Sequence, residues 1–290
     1  MRNLLFLFLF LLTISSVSAQ DDHKWIPTIG INTNITPTYT ITGTDTTTNN
    51  TLTVAPSFSI RDRAGWGIIY SPNFLIGNVK PGLFMHKVTV GIEQYDKKNI
   101  DYTANYSHYF FTNNSSVPYS PLTNEVLASI VIKNGWLHPI AEVGGGFGKD
   151  TSNGGSSNVD DVAAAVGAGH PFKWDFDSTV DISLSPALIL NAGTNEYFSF
   201  LSVSKYIGHG KKSLVLIKKG KGKGTGRNGN SSNTTNSVFS LSNIETRFES
   251  SVEIGSFAIR PMASLFFPVG HFAGTGIFAY WEITATYSFY

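Results

Sequence analysis

The chain has no cysteine among its 290 residues. That excludes a disulfide framework and every thiolate metal site. It is also short of charge: charged residues make up 14%, against roughly 25% in a soluble domain. The net charge is only +1, so no basic surplus points to nucleic acid. Long hydrophobic runs are missing as well. The one apolar stretch, Leu4 to Leu12, falls short of the roughly 20 residues that a helix needs to cross a bilayer. The phosphate-loop spacing Gly-x4-Gly-Lys-Ser/Thr is absent, so "GKGKGTG" near Gly220 carries no nucleotide-binding reading. None of the seven histidines is followed by Ser two places on, and there is no His-x-His. A serine without a base in reach is a weak nucleophile. No metal site and no cofactor are expected, and the chain is expected to be no enzyme.

What is present begins at the first residues. "MRNLLFLFLFLLTISSVSAQ" has a positive start, a short apolar core and small residues ending at Val17-Ser18-Ala19. This reads as a secretory signal peptide over residues 1–19, leaving 20–290 as one mature domain. Export combined with a lack of cysteine favours a bacterial envelope protein over a secreted eukaryotic one.

Beyond the signal the pattern is alternation. "TIGINTNITPTYTI" sets Ile29, Ile31, Ile35, Tyr39 and Ile41 against Gly30, Asn32, Asn34, Thr36, Thr38 and Thr40. "TLTVAPSFSI" and "FDSTVDISLSPALIL" repeat the period of two, which marks strands with one apolar and one polar face. The breaks between them fall into two kinds. "TGTDTTTNN", "TNNSSVPYSP", "GKDTSNGGSSNVD" and "GKGKGTGRNGNSSNTTN" are long and rich in Thr, Asn, Ser and Gly. "RDRA", "DKKN", "KNG", "PFKWD" and the break near "FES" are short and mostly charged. A membrane barrel sorts its connections in this way, with short turns at one end and long loops at the other. The expected fold is all-β: a transmembrane antiparallel up-and-down β-barrel of about fourteen strands, with twelve possible. Merging the break near "FES", or dropping the short strand "SLVLIKK", gives twelve.

Trp25, Trp66, Trp136 and Trp174 all fall at the short-turn rim, where an apolar ring with a hydrogen-bonding N–H suits the membrane interface. Trp281 sits nearer mid-strand, facing lipid. The chain ends "FAYWEITATYSFY", with Trp281, Ile283, Ala285, Tyr287 and Phe289 alternating with polar residues. An aromatic-ended last strand resembles the C-terminal signature of bacterial outer-membrane barrels, here with Tyr290 as one extra residue. "PIAEVGGGFG" is similar to a Gly-rich strand of small outer-membrane barrels. "LSPALILNAGTNEYFSF" and the signal ending "SAQ" resemble the Bacteroidetes type. The resemblance implies the bacterial outer membrane as location. It implies outer-membrane lipid and lipopolysaccharide as surroundings, and the barrel-insertion machinery as a partner during biogenesis. A monomer is expected, with no nucleic-acid partner.

Two groups of residues are candidates for function. Lys87, Glu93, Asp101, Glu142, Asp181, Arg260 and Glu282 fall on polar faces and are expected to line the lumen, because charge on the lipid face is costly. Both signs occur among them, so no strong ion selectivity is expected. Lys218, Lys219, Lys221, Lys223 and Arg227 form a Gly-rich basic stretch that suits an anion-binding surface loop. Asp175 and Asp177 read as a charged turn. "VGGGFG" and "VGAGHP" face each other across a loop, where glycine lets strands bend or approach closely. The function expected is a passive pore or transporter for small solutes, or an envelope scaffold. The alternatives are a surface-binding barrel that uses the basic loop, or a barrel hydrolase.

Overall fold

The computed structural model describes residues 25–42, 45–77, 81–95, 97–112, 122–150, 156–177, 180–194, 239–270 and 277–289. They form strands β1 (Trp25–Thr42), β2 (Asp45–Asp62), β3 (Trp66–Ile76), β4 (Gly82–Gln94), β5 (Ile100–Phe111), β6 (Asn124–Ile132) and β7 (His138–Asp150). The rest are β8 (Ser157–Gly169), β9 (Phe172–Asp177), β10 (Val180–Gly193), β11 (Ser240–Ile254), β12 (Phe257–Pro268) and β13 (Phe278–Ser288). Every described pairing is antiparallel. Neighbours follow chain order, and the ring shuts where β13 pairs with β1 and β10 with β11. Twelve strands therefore close a barrel. Closure removes the open strand edges of the ring, and most of its ladder is satisfied within the sheet.

The thirteenth strand, β9, lies outside the closed ring and prolongs β8. Gly169 faces Ala187 and Phe172 faces Leu184, so both strands hold one register on β10. They are separated only at His170–Pro171. Past His138, where β7 stops, β9 pairs with β10 alone.

Three breaks read from the sequence move. "PFKWD" is strand β9, and the next connection falls at 178–179. Asp175 and Asp177 therefore lie in a strand, with Asp175 opposite Asp181. "FES" lies within β11, and the reversal comes at Gly255–Ser256. The β1–β2 ladder runs out to Thr42 opposite Asp45, through most of "TGTDTTTNN". Thr and Ile have the β-branched shape that suits a pleated surface, so a stretch read as a loop by its polarity pairs as strand. The strand "SLVLIKK" falls in 195–238, outside the described residues.

Alternation turns one face of each strand outward. Ile29, Ile31, Tyr70, Val90, Phe110, Val143, Leu188, Leu265, Trp281 and Ile283 are all exposed there. This is the reverse of a soluble protein, whose large apolar side chains would be buried. The other face points into the barrel and carries most of the polar and charged side chains. No helix among the described residues is long and apolar enough to cross a membrane.

Connections at one end are short: 63–65, 95–99, 133–137, 178–179 and 255–256. At the other end, 43–44 apart, they are longer and include 112–123 and 194–239. The short-turn end also carries the exposed Trp25, Trp66, Trp136 and Trp174. The turn at 63–65 needs Gly65, whose φ is +93°. Its N–H donates to the Asp62 carbonyl at 3.0 Å, and the Asp62 carboxylate accepts from the Trp66 N–H at 2.8 Å.

Candidate functional site: the barrel interior

The interior is built from ladder rows. One row runs Ser129, Glu142, Ala165 and Asn191, from β6 through β7 and β8 to β10. Next to it on β10, Ala187 faces Arg247 and Ile189 faces Glu245. Arg247 is the centre of this wall. Its Nε donates to Glu245 Oε1 at 2.7 Å, and one terminal nitrogen reaches Glu142 Oε1 at 3.0 Å. That same nitrogen lies 3.5 Å from Glu249. Glu245 is fully buried and also accepts from Ser264 Oγ at 2.8 Å and Asn191 Nδ2 at 3.1 Å. Asn191 donates in addition to Asn243 Oδ1 at 2.9 Å.

The Glu142–Arg247 contact joins β7 to β11 over β8 and β10. It is possible because β8 presents Ala163, Ala165 and Gly167 in that phase. Larger side chains there would fill the path between the two charges. Arg247 and Glu245 carry no signal in the sequence that separates them from other polar positions on β11. Their phase depends on a bulge, where Asn191 faces Asn243 but Ala192 faces Leu241, leaving Ser242 as the extra residue. Such a bulge shifts every later side chain by one face.

Of the seven residues read as lumen-lining, each lies on the inward phase, and their partners differ. Glu93 pairs with Arg61 and accepts from Asn105 at 3.3 Å. Asp101 pairs with Lys133 at 2.6 Å, and Arg260 with Glu253 at 2.8 Å. Lys87 sits over the Tyr109 ring at 5.8 Å, a cation–π contact. The Tyr109 hydroxyl donates to Glu125. Glu282 accepts from Tyr280 at 2.8 Å. Asp181 is exposed and stands between Asp175 and Glu253 across the sheet. Glu125, Asp161, Glu245, Glu249 and Glu253 join the same face, so acids outnumber bases on it. Lys218, Lys219, Lys221, Lys223 and Arg227 lie outside the described residues.

Burial divides the interior in two. Toward the long-loop end Leu75, Met85, Tyr109, Asp161, Ile189, Glu245, Phe266 and Tyr280 are each 3% exposed or less. Leu75, Phe84, Met85 and Tyr109 pack as one apolar cluster, with Phe111 against it. Toward the short-turn end Arg61, Glu93, Asp101, Asp181, Glu253 and Arg260 are half-exposed or exposed. Among the described residues the long-loop half is the more tightly filled, although Gln94 and Ala258 near the short turns are buried as well.

Among the described residues no group of three His, Asp or Glu side chains is placed to hold a metal ion. His86 and His108 lie on the outward face and share hydrogen bonds with Tyr70 at 2.8 Å and Asn124 at 2.7 Å.

No protein-family model matches the chain, and no curated protein matches it. Similar solved structures are outer-membrane β-barrels. LpxR from Salmonella typhimurium is 7% identical with a TM-score of 0.40, covering 90% of this chain and 99% of that one. The translocator domain of autotransporter NalP from Neisseria meningitidis is 8% identical with a TM-score of 0.45, covering 98% and 95%. An outer membrane channel from Pseudomonas putida F1 is 8% identical with a TM-score of 0.39, covering 94% and 97%. Likeness at this level transfers no activity. The expectation that the chain is no enzyme is likewise withdrawn, since these neighbours include both an enzyme and channels and decide neither.

Proposed function

We propose that the chain is a bacterial outer-membrane barrel, of the Bacteroidetes type, that acts as a small-solute transporter closed at rest. The short-turn end faces the periplasm and forms a polar vestibule. The long-loop half is the closed gate. The observation that carries this reading is the burial divide inside the barrel, from sealed aromatics such as Tyr109 and Phe266 to open charges such as Arg260. The outward apolar face supports a lipid surround, because such a face is stable only against hydrocarbon. Closure through β13, whose last paired residues sit against β1, supports recognition of the aromatic end by the insertion machinery. Lipopolysaccharide is the proposed neighbour on the long-loop side.

The test is conductance of the refolded protein in a planar bilayer. A barrel that inserts, shifts on heating in gel electrophoresis and stays electrically silent is the expected result. Discrete steady steps from the unmodified protein would overturn the closed gate.

A further inference from the structure

We propose that the barrel wall opens sideways between β2 and β3, passing an elongated apolar ligand of the acyl-chain class between bilayer and interior. The inference rests on the membrane placement proposed above. It starts from a gap in the ladder. Val54 pairs with Phe74 and Phe58 with Tyr70 in one register, but the three positions between them do not pair. In that register Pro56 stands opposite Pro72.

The hydrogen-bonding direction can be read on both strands. Pro56 accepts from Ser71 Oγ at 3.0 Å, so its carbonyl points toward β3. In a strand the N and C=O of one residue point the same way, so the Pro56 nitrogen faces β3 as well. On β3, the Glu93 N–H donates to the Gly65 carbonyl at 3.0 Å, which sets odd-numbered residues toward β4 and even-numbered ones toward β2. Pro56 and Pro72 therefore occupy a pair that elsewhere exchanges two N–H···O bonds. Neither has an N–H to give. In hydrocarbon no water replaces them.

No other described pair sets two prolines opposite each other. A second interruption, where Pro261 of β12 stands opposite Ser250 of β11, lacks only one donor. There the Arg260–Glu253 pair at 2.8 Å ties β12 to β11 nearby, whereas across the β2–β3 gap the one bond is Ser71 Oγ to Pro56 O. On its other side β3 is loosened again, by a bulge between Asn73 and Phe74 opposite β4. The gap residues themselves stay paired with β4, Ser71 with Lys87, Pro72 with His86 and Asn73 with Met85, so the weakness lies on the β2 side and just beyond Asn73.

The surroundings define the ligand class. Outside the gap stand Val54, Phe58, Tyr70 and Phe74. Inside it, Ser57, Ser71 and the buried Asn73 stand with Ala55 at the gap, and the buried Leu75 and Met85 of the apolar cluster follow toward the long-loop end. Pro72 is six residues along β3 from Trp66, deep in the apolar band rather than at its rim. An alkyl chain meets apolar surface on the outer side and, past three short polar side chains, the buried Leu75 and Met85 on the inner side.

The chain lacks cysteine, which makes the test clean. Single variants Ala55→Cys, beside the gap, and Ser107→Cys, in the unbroken β4–β5 ladder, both place a buried inward thiol. Each is reconstituted into phosphatidylcholine vesicles and exposed to a pyrene maleimide dissolved in the bilayer. Flotation with the vesicles is scored first: a chain that does not float overturns the membrane placement itself. In floating protein, Ala55→Cys is expected to label on the order of tenfold faster than Ser107→Cys, as two missing ladder bonds warrant. Adding Pro56→Val and Pro72→Val restores both donors and is expected to abolish the difference. Equal labelling of the two thiols in floating protein, or a difference unchanged by the valines, would overturn the lateral opening and leave the placement standing.

Discussion

Arg247 of β11 meets Glu142 of β7 at 3.0 Å, across two intervening strands, and Arg247 also carries Glu245 at 2.7 Å. One cation thus holds carboxylates from two strands in a place shielded from water. Burying such charges is expensive, and the pairing offsets that cost only while every partner is present. Removing the cation is worse than removing the group, because it leaves the acids unmatched.

The Arg247→Met variant is therefore expected to lose about 3–5 kcal/mol of stability. The triple variant Arg247→Met, Glu245→Gln, Glu142→Gln is expected to recover a large part of that loss. Urea unfolding in detergent micelles, followed by the gel shift of the folded barrel, measures both. A triple variant less stable than the single one would refute the charge argument.

Glycines in the β7–β8 region differ in what surrounds them. A Cβ on Gly167 meets the Leu188 carbonyl at 2.4 Å, while one on Gly144 meets nothing nearer than a Leu127 methyl at 3.4 Å. Gly167→Ala is expected to displace the β8–β10 ladder and cost about 1–3 kcal/mol, as overpacking does. Gly144→Ala is expected to be neutral within error. The same unfolding assay separates them, and equal costs would show that close approach is not what Gly167 provides.

Leu188 is 57% exposed on the outward face, between Ala168 and Thr246. Leu188→Arg is expected to cost about 2–4 kcal/mol if that position sits near the bilayer midplane. Refolding into lipid vesicles reports it. No penalty would place Leu188 outside the hydrocarbon.

The gate is testable from inside. Tyr109→Ala together with Phe266→Ala removes two buried rings from the long-loop half. Conductance steps are expected from this variant in a planar bilayer. Because acids outnumber bases on the inward face, its reversal potential in a potassium chloride gradient is expected to show cation preference. Anion preference would mean that Arg61, Lys87 and Arg260 dominate the path.

The strands themselves were legible because alternation is local. Each of "TIGINTNI", "TLTVAPSFSI" and "DISLSPALIL" shows its two faces within a few residues, and the pleat does the rest. The exact ends were less legible. "PFKWD" and "FES" look like breaks by composition, yet neighbouring strands pair with them.

What passes between strands was decided only by the tertiary structure. Glu142 and Arg247 are 105 positions apart in the chain and meet because the ring closes and β8 is lined with small residues. The phase of Glu245 and Arg247 waits on one bulge at Ser242. Pro56 and Pro72 look ordinary in sequence, since proline at a strand position facing away from its neighbour costs no bond. Only the register sets them opposite each other. Local pattern determines which residues share a face, because the side-chain period is two. Closure determines which faces meet, because it depends on the register of every ladder in the ring at once.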